Sequence, residues 1–133
     1  FVIKKLKHNF ILKSIRIDLQ LDNVYITSDK IGIRYCFEQI LNNAIKYSFD
    51  NSLVTIRGNE KQLIIMSEGY GVNSRDILRV FDKGFTGSNA KNYSNEATGM
   101  GLYLVKRIFN QLNHQISMES IDNITKIIIK FKD

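Results

Sequence analysis

The chain has 133 residues, of which 44% are hydrophobic and 24% charged, and this length and composition predict one folded domain covering residues 1–133. No apolar run approaches the roughly 20 residues that a membrane helix requires. A single cysteine, Cys36, excludes an intramolecular disulfide and a cysteine-rich metal site. Because Cys36 lies within a helical apolar pattern, we expect it to be buried and to have a packing role. The chain begins without an initiator Met or a signal-peptide pattern, so we expect it to be part of a larger protein.

The formal net charge is +6, which on its own is compatible with binding to nucleic acid. However, the basic residues are spread along the chain, and aromatic residues do not alternate with them as a base-stacking surface would require. We therefore expect no nucleic-acid partner. A basic surface that attracts a polyphosphate ligand, or one that lies near an anionic membrane, explains the same charge.

The first half of the chain alternates between helical and strand patterns. Apolar residues at near-helical spacing predict a leading helix within residues 1–13, and strict alternation over 15–21 then predicts a half-buried strand. A brief strand is predicted at 24–27. Ser28 or Asp29 is predicted to cap a helix that continues to about residue 48. The residues expected on the core side of this helix are Ile33, Phe37, Ile40, Leu41 and Ala44.

In the second half, strands predicted at 53–57 and 63–66 are separated by a turn-forming segment, which favours an antiparallel hairpin. Asn73 or Ser74 is predicted to cap a short helix that ends at Val80. Residues 81–98 show no periodicity, and a loop of that length is usually functional.

A helix is predicted from Gly99 to about Leu112, with Leu102, Val105, Ile108 and Phe109 on one face, and strands are predicted at 115–120 and 124–131. The elements together predict an α+β fold. We expect a two-layer sandwich in which a mixed, mostly antiparallel sheet of about five strands carries three helices on one face.

Four polar residues recur along one side of the long helix: Gln39, Asn43, Lys46 and Tyr47 fall at i, i+4, i+7 and i+8. Asn43 can offer an amide oxygen to Mg²⁺, and Lys46 lies close enough along the helix to reach a phosphate of the same ligand. The same stripe is as typical of the solvated side of an amphipathic helix. The stripe alone therefore leaves both interpretations open.

Two glycine-bearing segments, 67–72 and 98–105, flank the aperiodic loop. The second leads directly into a helix, whose first backbone N–H groups are free to bind an anion such as phosphate. A P-loop is excluded because its motif is absent, and no glycine-rich turn follows the first strand as a dinucleotide fold would require. His8 and His114 lie apart from any carboxylate or cysteine cluster, so we expect both to be exposed, and we identify no nucleophile or general base.

Three segments resemble the motifs of a known family: 38–48 is similar to its N box, 81–85 to its F box and 98–102 to its G2 box. The family is the catalytic and ATP-binding domain of sensor histidine kinases, within the gyrase, Hsp90, histidine kinase and MutL superfamily, and the resemblance covers nearly the whole chain. Segments 81–87 and 98–105 look closest to kinases of the group associated with peptide-antibiotic detoxification transporters.

The resemblance implies a Bergerat-type ATP-binding fold with ATP and Mg²⁺ as ligands. It implies that Asn43 holds Mg²⁺, that Lys46 and Tyr47 contact phosphates or ribose, and that Phe81 and Phe85 anchor an ATP lid at 82–98. The residues that it places at the nucleotide are Gln39, Asn43, Lys46, Tyr47, Ser67, Gly69, Gly71, Val72, Phe81, Lys83, Phe85, Thr98, Gly99, Met100, Gly101 and Leu102.

The chain departs from the family pattern at two positions. Gln39 stands where the first N-box position is often Asn, and its longer amide can still supply an oxygen. In the G1 box, residues 67–72, Ser67 stands where the family usually has an Asp that accepts a hydrogen bond from the adenine amine. A neutral acceptor contributes less than a charged one, so we expect weaker or less adenine-selective binding. Glu68 is a poorer substitute, because adjacent strand residues face opposite sides of a sheet.

By the resemblance, the chain is the enzymatic part of a protein histidine kinase that presents the γ-phosphate of Mg–ATP to a histidine on a separate dimerisation domain. The implied partners are that domain and a cognate response regulator, within a homodimeric, membrane-anchored parent whose catalytic domain is cytoplasmic. The alternatives are an interaction module of the same fold that has lost nucleotide binding, and a related ATPase or serine kinase.

Overall fold

The computed structural model describes residues 2–21, 28–73, 75–82 and 101–131. The strand predicted at 24–27 lies outside these residues, as does the predicted lid beyond its first residue.

Five strands form one sheet in the order β1-β2-β3-β5-β4. Strands β1 and β2 pair in parallel, and the other three pairs are antiparallel. The predicted mixed, mostly antiparallel sheet and the predicted hairpin are therefore confirmed. The strands are β1 (Arg16–Leu21), β2 (Leu53–Gly58), β3 (Gln62–Glu68), β4 (Gln115–Ile121) and β5 (Ile124–Lys130).

The longest helix, α3 (Lys30–Tyr47), begins where the sequence predicts. The Asp29 carboxylate accepts a hydrogen bond of 3.0 Å from the Gly32 N–H, which satisfies one of the free donors of the first turn. Helix α4 (Gly101–Gln111) packs beside α3. Among the described residues, no helix is both long enough and apolar enough to cross a membrane.

The leading helix and the predicted helix before Val80 both differ from expectation. Two short helices, α1 (Val2–Lys5) and α2 (Lys7–Leu12), replace a continuous leading helix, because the chain tightens at Leu6, whose carbonyl accepts from both the Asn9 and the Phe10 N–H. Before Val80 the described residues form a 3₁₀ turn, Ile77–Arg79, which follows Asp76, and not the predicted helix; of its two predicted caps, Ser74 lies outside the described residues.

The core lies between the helices and one face of the sheet. In β3, Leu63 and Ile65 are buried while Ile64 and Met66 between them are half-buried, which is the alternation of a strand covered mainly on one side. The two-layer α+β sandwich is thus confirmed. The buried hydrophobic residues that pack into one cluster are Leu6, Phe10, Ile15, Cys36, Ile40, Leu41, Ile45, Val54, Ile56, Leu63, Ile65, Val105, Phe109, Ile116, Ile127, Ile129 and Phe131.

Cys36 has the predicted packing role. It is fully buried, and its Sγ lies 4.0 Å from the Val105 carbonyl oxygen of α4. Burial raises the pKa of its thiol to about 12.

The prediction that His114 is exposed is wrong. Only 4% of the residue is exposed, and its ring packs edge-on against Phe109 and Phe131. Its Nε2 lies 3.0 Å from the Ser28 hydroxyl oxygen, a partner 86 residues away that sequence spacing does not reveal. His8 is exposed, as predicted.

Candidate functional site

Helix α3 meets the start of α4 at Gln39. Gly101 is the first residue of α4, and a Cβ added there would lie 3.0 Å from the Gln39 side-chain oxygen. That separation is tighter than ordinary van der Waals contact, so the absence of a side chain at Gly101 lets the amide approach. The first polar residue of the N box and the last glycine of the G2 box are therefore neighbours, and Leu102, next in α4, packs against the core.

The other end of α3 meets the G1 box at Gly69. A Cβ on Gly69 would overlap the carbonyl oxygen of Tyr47 and lie 3.4 Å from the Ser48 Cα. Ser48 and Gly69 form an isolated antiparallel β-bridge, and the Phe49 N–H donates to the Glu68 carbonyl over 2.8 Å. The backbone of the G1 box is thus joined to the end of the N-box helix.

Asn43 and Lys46 lie on α3 between these two contacts. Asn43 is one helical turn from Gln39 and one from Tyr47, so the three side chains share a stripe. Both Asn43 and Lys46 are half-buried and keep part of their surface open to a ligand. Burial raises the pKa of the Tyr47 phenol, which keeps this side chain in its neutral, hydrogen-donating form near neutral pH.

The donor set suits a hard cation better than a soft one. Among the described residues, no group of three or more His, Cys, Asp or Glu is placed to hold a metal. The stripe offers the amide oxygens of Gln39 and Asn43, a ligand type that Mg²⁺ accepts when a bound phosphate completes its shell. The Gln39 amide is turned toward Gly101, where a Cβ would fill the space beside it. These residues fit a Mg–phosphate group.

Ser67 lies at the end of β3 and follows Leu63 and Ile65 in alternation, so it projects from the helix-covered face of the sheet. Thr125 is its direct partner on β5. Glu68 points elsewhere: it is exposed, and its Oε1 accepts a hydrogen bond of 3.0 Å from the Leu53 N–H. The expectation that Glu68 does not replace the missing carboxylate agrees with this contact.

The turn that follows Gly69 is held by Ser120, which the sequence did not reveal. The Ser120 Oγ accepts a hydrogen bond of 2.9 Å from the Val72 N–H and lies 3.3 Å from the Thr125 Oγ1. Gly71 adopts φ +76°, and a Cβ there would lie 2.6 Å from the Ser120 Oγ. Glycine is therefore required at this turn for both its conformation and its small size. The sequence signal for Ser120 is weak: it stands opposite another hydroxyl residue, Thr125, in the predicted hairpin at the end of the chain.

The start of the F box is fixed to the core. Phe81 is half-buried against the core cluster, and the Lys106 ammonium of α4 lies 5.3 Å from the centre of its ring. The remaining predicted site residues lie outside the described part of the chain; they are Lys83, Phe85, Thr98, Gly99 and Met100.

Lys13 is a second residue that the sequence did not reveal. It stands between the leading helices and β1, and its ammonium reaches the carbonyl end of α3.

The main helix of this two-layer sandwich contacts a glycine segment near each end, and amide and ammonium side chains lie between the two contacts, an arrangement suited to an anionic ligand. The chain belongs to the family of histidine kinase-, DNA gyrase B- and HSP90-like ATPases, whose model matches residues 28–133. The family resemblance seen in the sequence is thereby confirmed.

Curated relatives of the chain are sensor kinases. It is 38% identical over 122 residues to the sensor protein BceS of Bacillus subtilis, a match that covers 89% of this chain and 36% of BceS. It is 36% identical over 104 residues to the sensor histidine kinase GraS of Staphylococcus epidermidis, covering 75% of this chain and 30% of GraS. The chain therefore spans about a third of the length of these relatives.

Among solved structures, the mycobacterial sensor histidine kinase MprB superposes with a TM-score of 0.82 at 22% identity, over 96% of this chain and 90% of that one. This likeness concerns the fold and agrees with the predicted fold class.

Proposed function

We propose that this chain binds Mg–ATP between α3, the start of α4 and the G1 box, and presents the γ-phosphate to a histidine on the dimerisation domain of a sensor histidine kinase. The proposal includes residues 1–13 as a leading segment and residues 82–98 as an ATP lid. The parent protein is proposed to be a membrane-anchored homodimer whose catalytic domain is cytoplasmic and whose phosphoryl group passes to a response regulator.

The observation that carries the proposal is that one helix contacts both glycine segments. Gln39 lies against Gly101, and Tyr47 lies against Gly69. Asn43 stands one turn from each of these two α3 residues, so a ligand that reaches both glycine segments must pass over it.

In this proposal Asn43 holds Mg²⁺, Gln39 supplies a second amide oxygen close by, and Lys46 and Tyr47 contact phosphate or ribose. When bound, Mg²⁺ would neutralise phosphate charge and favour transfer of the terminal group. Ser67 faces the base, and Gly71 and Val72 form the turn beside it. Phe81 anchors the lid, to which Lys83 and Phe85 belong, while the amides near Thr98, Gly99, Met100, Gly101 and Leu102 meet the phosphates.

The chain itself contributes positioning and electrostatic stabilisation, because no side chain is assigned as general base. The net charge of +6 favours approach of an anionic nucleotide at long range.

A nucleotide-displacement titration with Mg²⁺ present and absent tests the proposal. Asn43→Ala should weaken Mg–ATP binding by about tenfold or more, since a ligand to the cation is lost. The matched control is Asn42→Ala, which removes the same amide from the adjacent position on another side of α3 and should leave affinity within about twofold. Equal losses in the two variants, or binding that ignores Mg²⁺, would contradict the proposed site.

The loss of nucleotide binding is the second candidate, and a specific observation favours it. The usual carboxylate is replaced by Ser67, and the neighbouring Glu68 is bonded to the Leu53 N–H. If the wild-type chain binds no nucleotide with Mg²⁺ present, the chain is better described as an interaction module of the same fold that has lost nucleotide binding.

A further inference from the structure

The carbonyl end of α3 is completed by a side chain from outside the helix. The residue after α3, Ser48, has extended backbone angles (φ −84°, ψ 151°), so no left-handed glycine turn caps the last carbonyls. Instead, the Lys13 ammonium donates to the carbonyl oxygens of Ile45 at 2.8 Å, Lys46 at 3.2 Å and Ser48 at 2.6 Å. The three acceptors match the three N–H donors that an ammonium carries.

Lys13 is itself held firmly in place. Its carbonyl oxygen accepts a hydrogen bond of 2.9 Å from the Asn51 N–H, just beyond the end of α3. Phe10 and Ile15, on either side of it in the chain, are both buried in the core. Burial lowers the pKa of Lys13, and the nearby Asp50 carboxylate acts in the opposite direction. The leading segment is thus tied to the end of α3 through both the backbone and the side chain of one residue.

This end of α3 carries Lys46 and Tyr47, which are proposed to contact phosphate or ribose. The carbonyl end of a helix carries a partial negative charge of about half an elementary charge, which would repel a polyphosphate. Lys13 bonds to the carbonyl of Lys46, whose side chain is proposed to reach a phosphate, and to that of Ser48, which bridges to Gly69. Its charge therefore falls on the part of the helix where a nucleotide would otherwise meet unfavourable potential.

We infer that Lys13 is a positioning residue of the nucleotide site, which neutralises the carbonyl end of α3 and fixes that end against the G1 box. The inference rests on the proposed function and extends it, because it makes the leading segment part of the pocket's electrostatics. A movement of this segment that withdraws the ammonium would weaken nucleotide binding without touching the pocket itself.

The experiment compares Lys13→Met with Lys13→Arg and with Lys4→Met, which removes one exposed charge from the same leading segment. Affinities for ATP, ADP and AMP are measured with Mg²⁺ at low ionic strength, well below each variant's unfolding temperature. We expect Lys13→Met to weaken ATP binding by about 3- to 10-fold, or about 0.6–1.4 kcal/mol, with a smaller loss for ADP and the smallest for AMP. Lys13→Arg should recover most of the affinity, and Lys4→Met should stay within about twofold of wild type.

Losses that are equal for the three nucleotides would overturn the inference, since a purely structural role does not depend on ligand charge. No loss in Lys13→Met, while the wild type binds, would overturn it as well and leave the proposed function intact. A wild-type chain that binds no nucleotide would overturn both. If Lys13→Met does not fold, Lys13→Gln keeps an N–H donor without the charge and should show the same dependence on phosphate number.

Discussion

The contact between Gly69 and the end of α3 predicts a large effect for Gly69→Ala. The new Cβ would overlap the Tyr47 carbonyl oxygen and lie 3.1 Å from the Tyr47 carbonyl carbon. These are backbone atoms, so no side-chain rotation relieves the overlap, and the two segments must move apart. Overpacking of this kind costs about 1–3 kcal/mol. Separation also weakens the Ser48–Gly69 bridge and the 2.9 Å bond from the Gly69 N–H to the Asn123 carbonyl, at about 1 kcal/mol each.

We therefore expect Gly69→Ala to destabilise the chain by about 3–5 kcal/mol and to lower its unfolding midpoint by about 10–18 °C. Thermal and urea unfolding followed by circular dichroism measure both quantities. Loss of Mg–ATP binding should accompany the change even at temperatures where the variant is folded, because the G1 box is displaced from α3.

Gly32→Ala is the matched control. The atoms nearest to a Cβ there would belong to side chains, the Asp29 Oδ2 at 2.7 Å and the Ile108 Cγ2 at 3.4 Å. Alanine improves helix propensity by about 1 kcal/mol, and displacement of the Asp29 cap costs about the same. The control should remain within about 1 kcal/mol of wild type. If Gly69→Ala unfolds at the same midpoint as Gly32→Ala, the close approach of the G1 box to α3 is not real.

Three further predictions concern Ser67 and Ser120 near the G1 turn and Cys36 in the core. Ser67→Asp should tighten ATP binding by about 2- to 30-fold, because a charge-assisted hydrogen bond to the adenine amine is worth about 0.5–2 kcal/mol more than a neutral one. The control is Ser117→Asp, on the opposite face of the sheet. No gain in affinity for Ser67→Asp, or an equal gain for Ser117→Asp, would show that Ser67 does not meet the base. Ser120→Ala should speed hydrogen exchange at the Val72 amide, whose acceptor it removes, whereas Ser117→Ala should not, and unchanged exchange would count against this role of Ser120. Burial raises the pKa of Cys36 from 9.0 to about 12, so its stabilising contribution is complete below pH 9.0 and is lost as the pH rises toward 12. Between neutrality and about pH 10.5, urea unfolding of the wild type should lose ~2 kcal/mol more than unfolding of Cys36→Ala, and parallel pH profiles would refute this.

The sequence predicts best those elements that combine several local features, such as a capping residue and a regular apolar stripe. Helix α3 combines an Asp29 cap with an apolar stripe, and both features survive in the structure because packing reinforces the local preference. The prediction of one continuous leading helix is wrong, because a single tightened turn at Leu6 does not change the spacing of the apolar residues. The sequence predicts an exposed His114, because the fold alone brings its polar partner, Ser28, to it. The sequence gives no sign of the role of Lys13 for the same reason, since its three acceptors lie 32 to 35 residues away.

The position of the G1 box against α3, in contrast, follows from chain order. Strand β2 begins soon after α3 ends, and β3 runs antiparallel to β2, so the end of β3 returns to the place where β2 starts. Val54 at the start of β2 pairs with Ser67 at the end of β3, and Gly69 must then lie beside the last turn of α3. Strand β5 is antiparallel to β3 and begins at the end of the sheet where β3 finishes, which brings the hairpin that carries Ser120 to the G1 turn. The meeting of Gln39 with Gly101 has no such derivation, because α4 is placed by side-chain packing against α3 and not by strand pairing. The contact at Gly69 thus follows from strand topology and the contact at Gly101 from helix packing, so core substitutions between α3 and α4 should disturb the Gln39–Gly101 contact before the Tyr47–Gly69 contact.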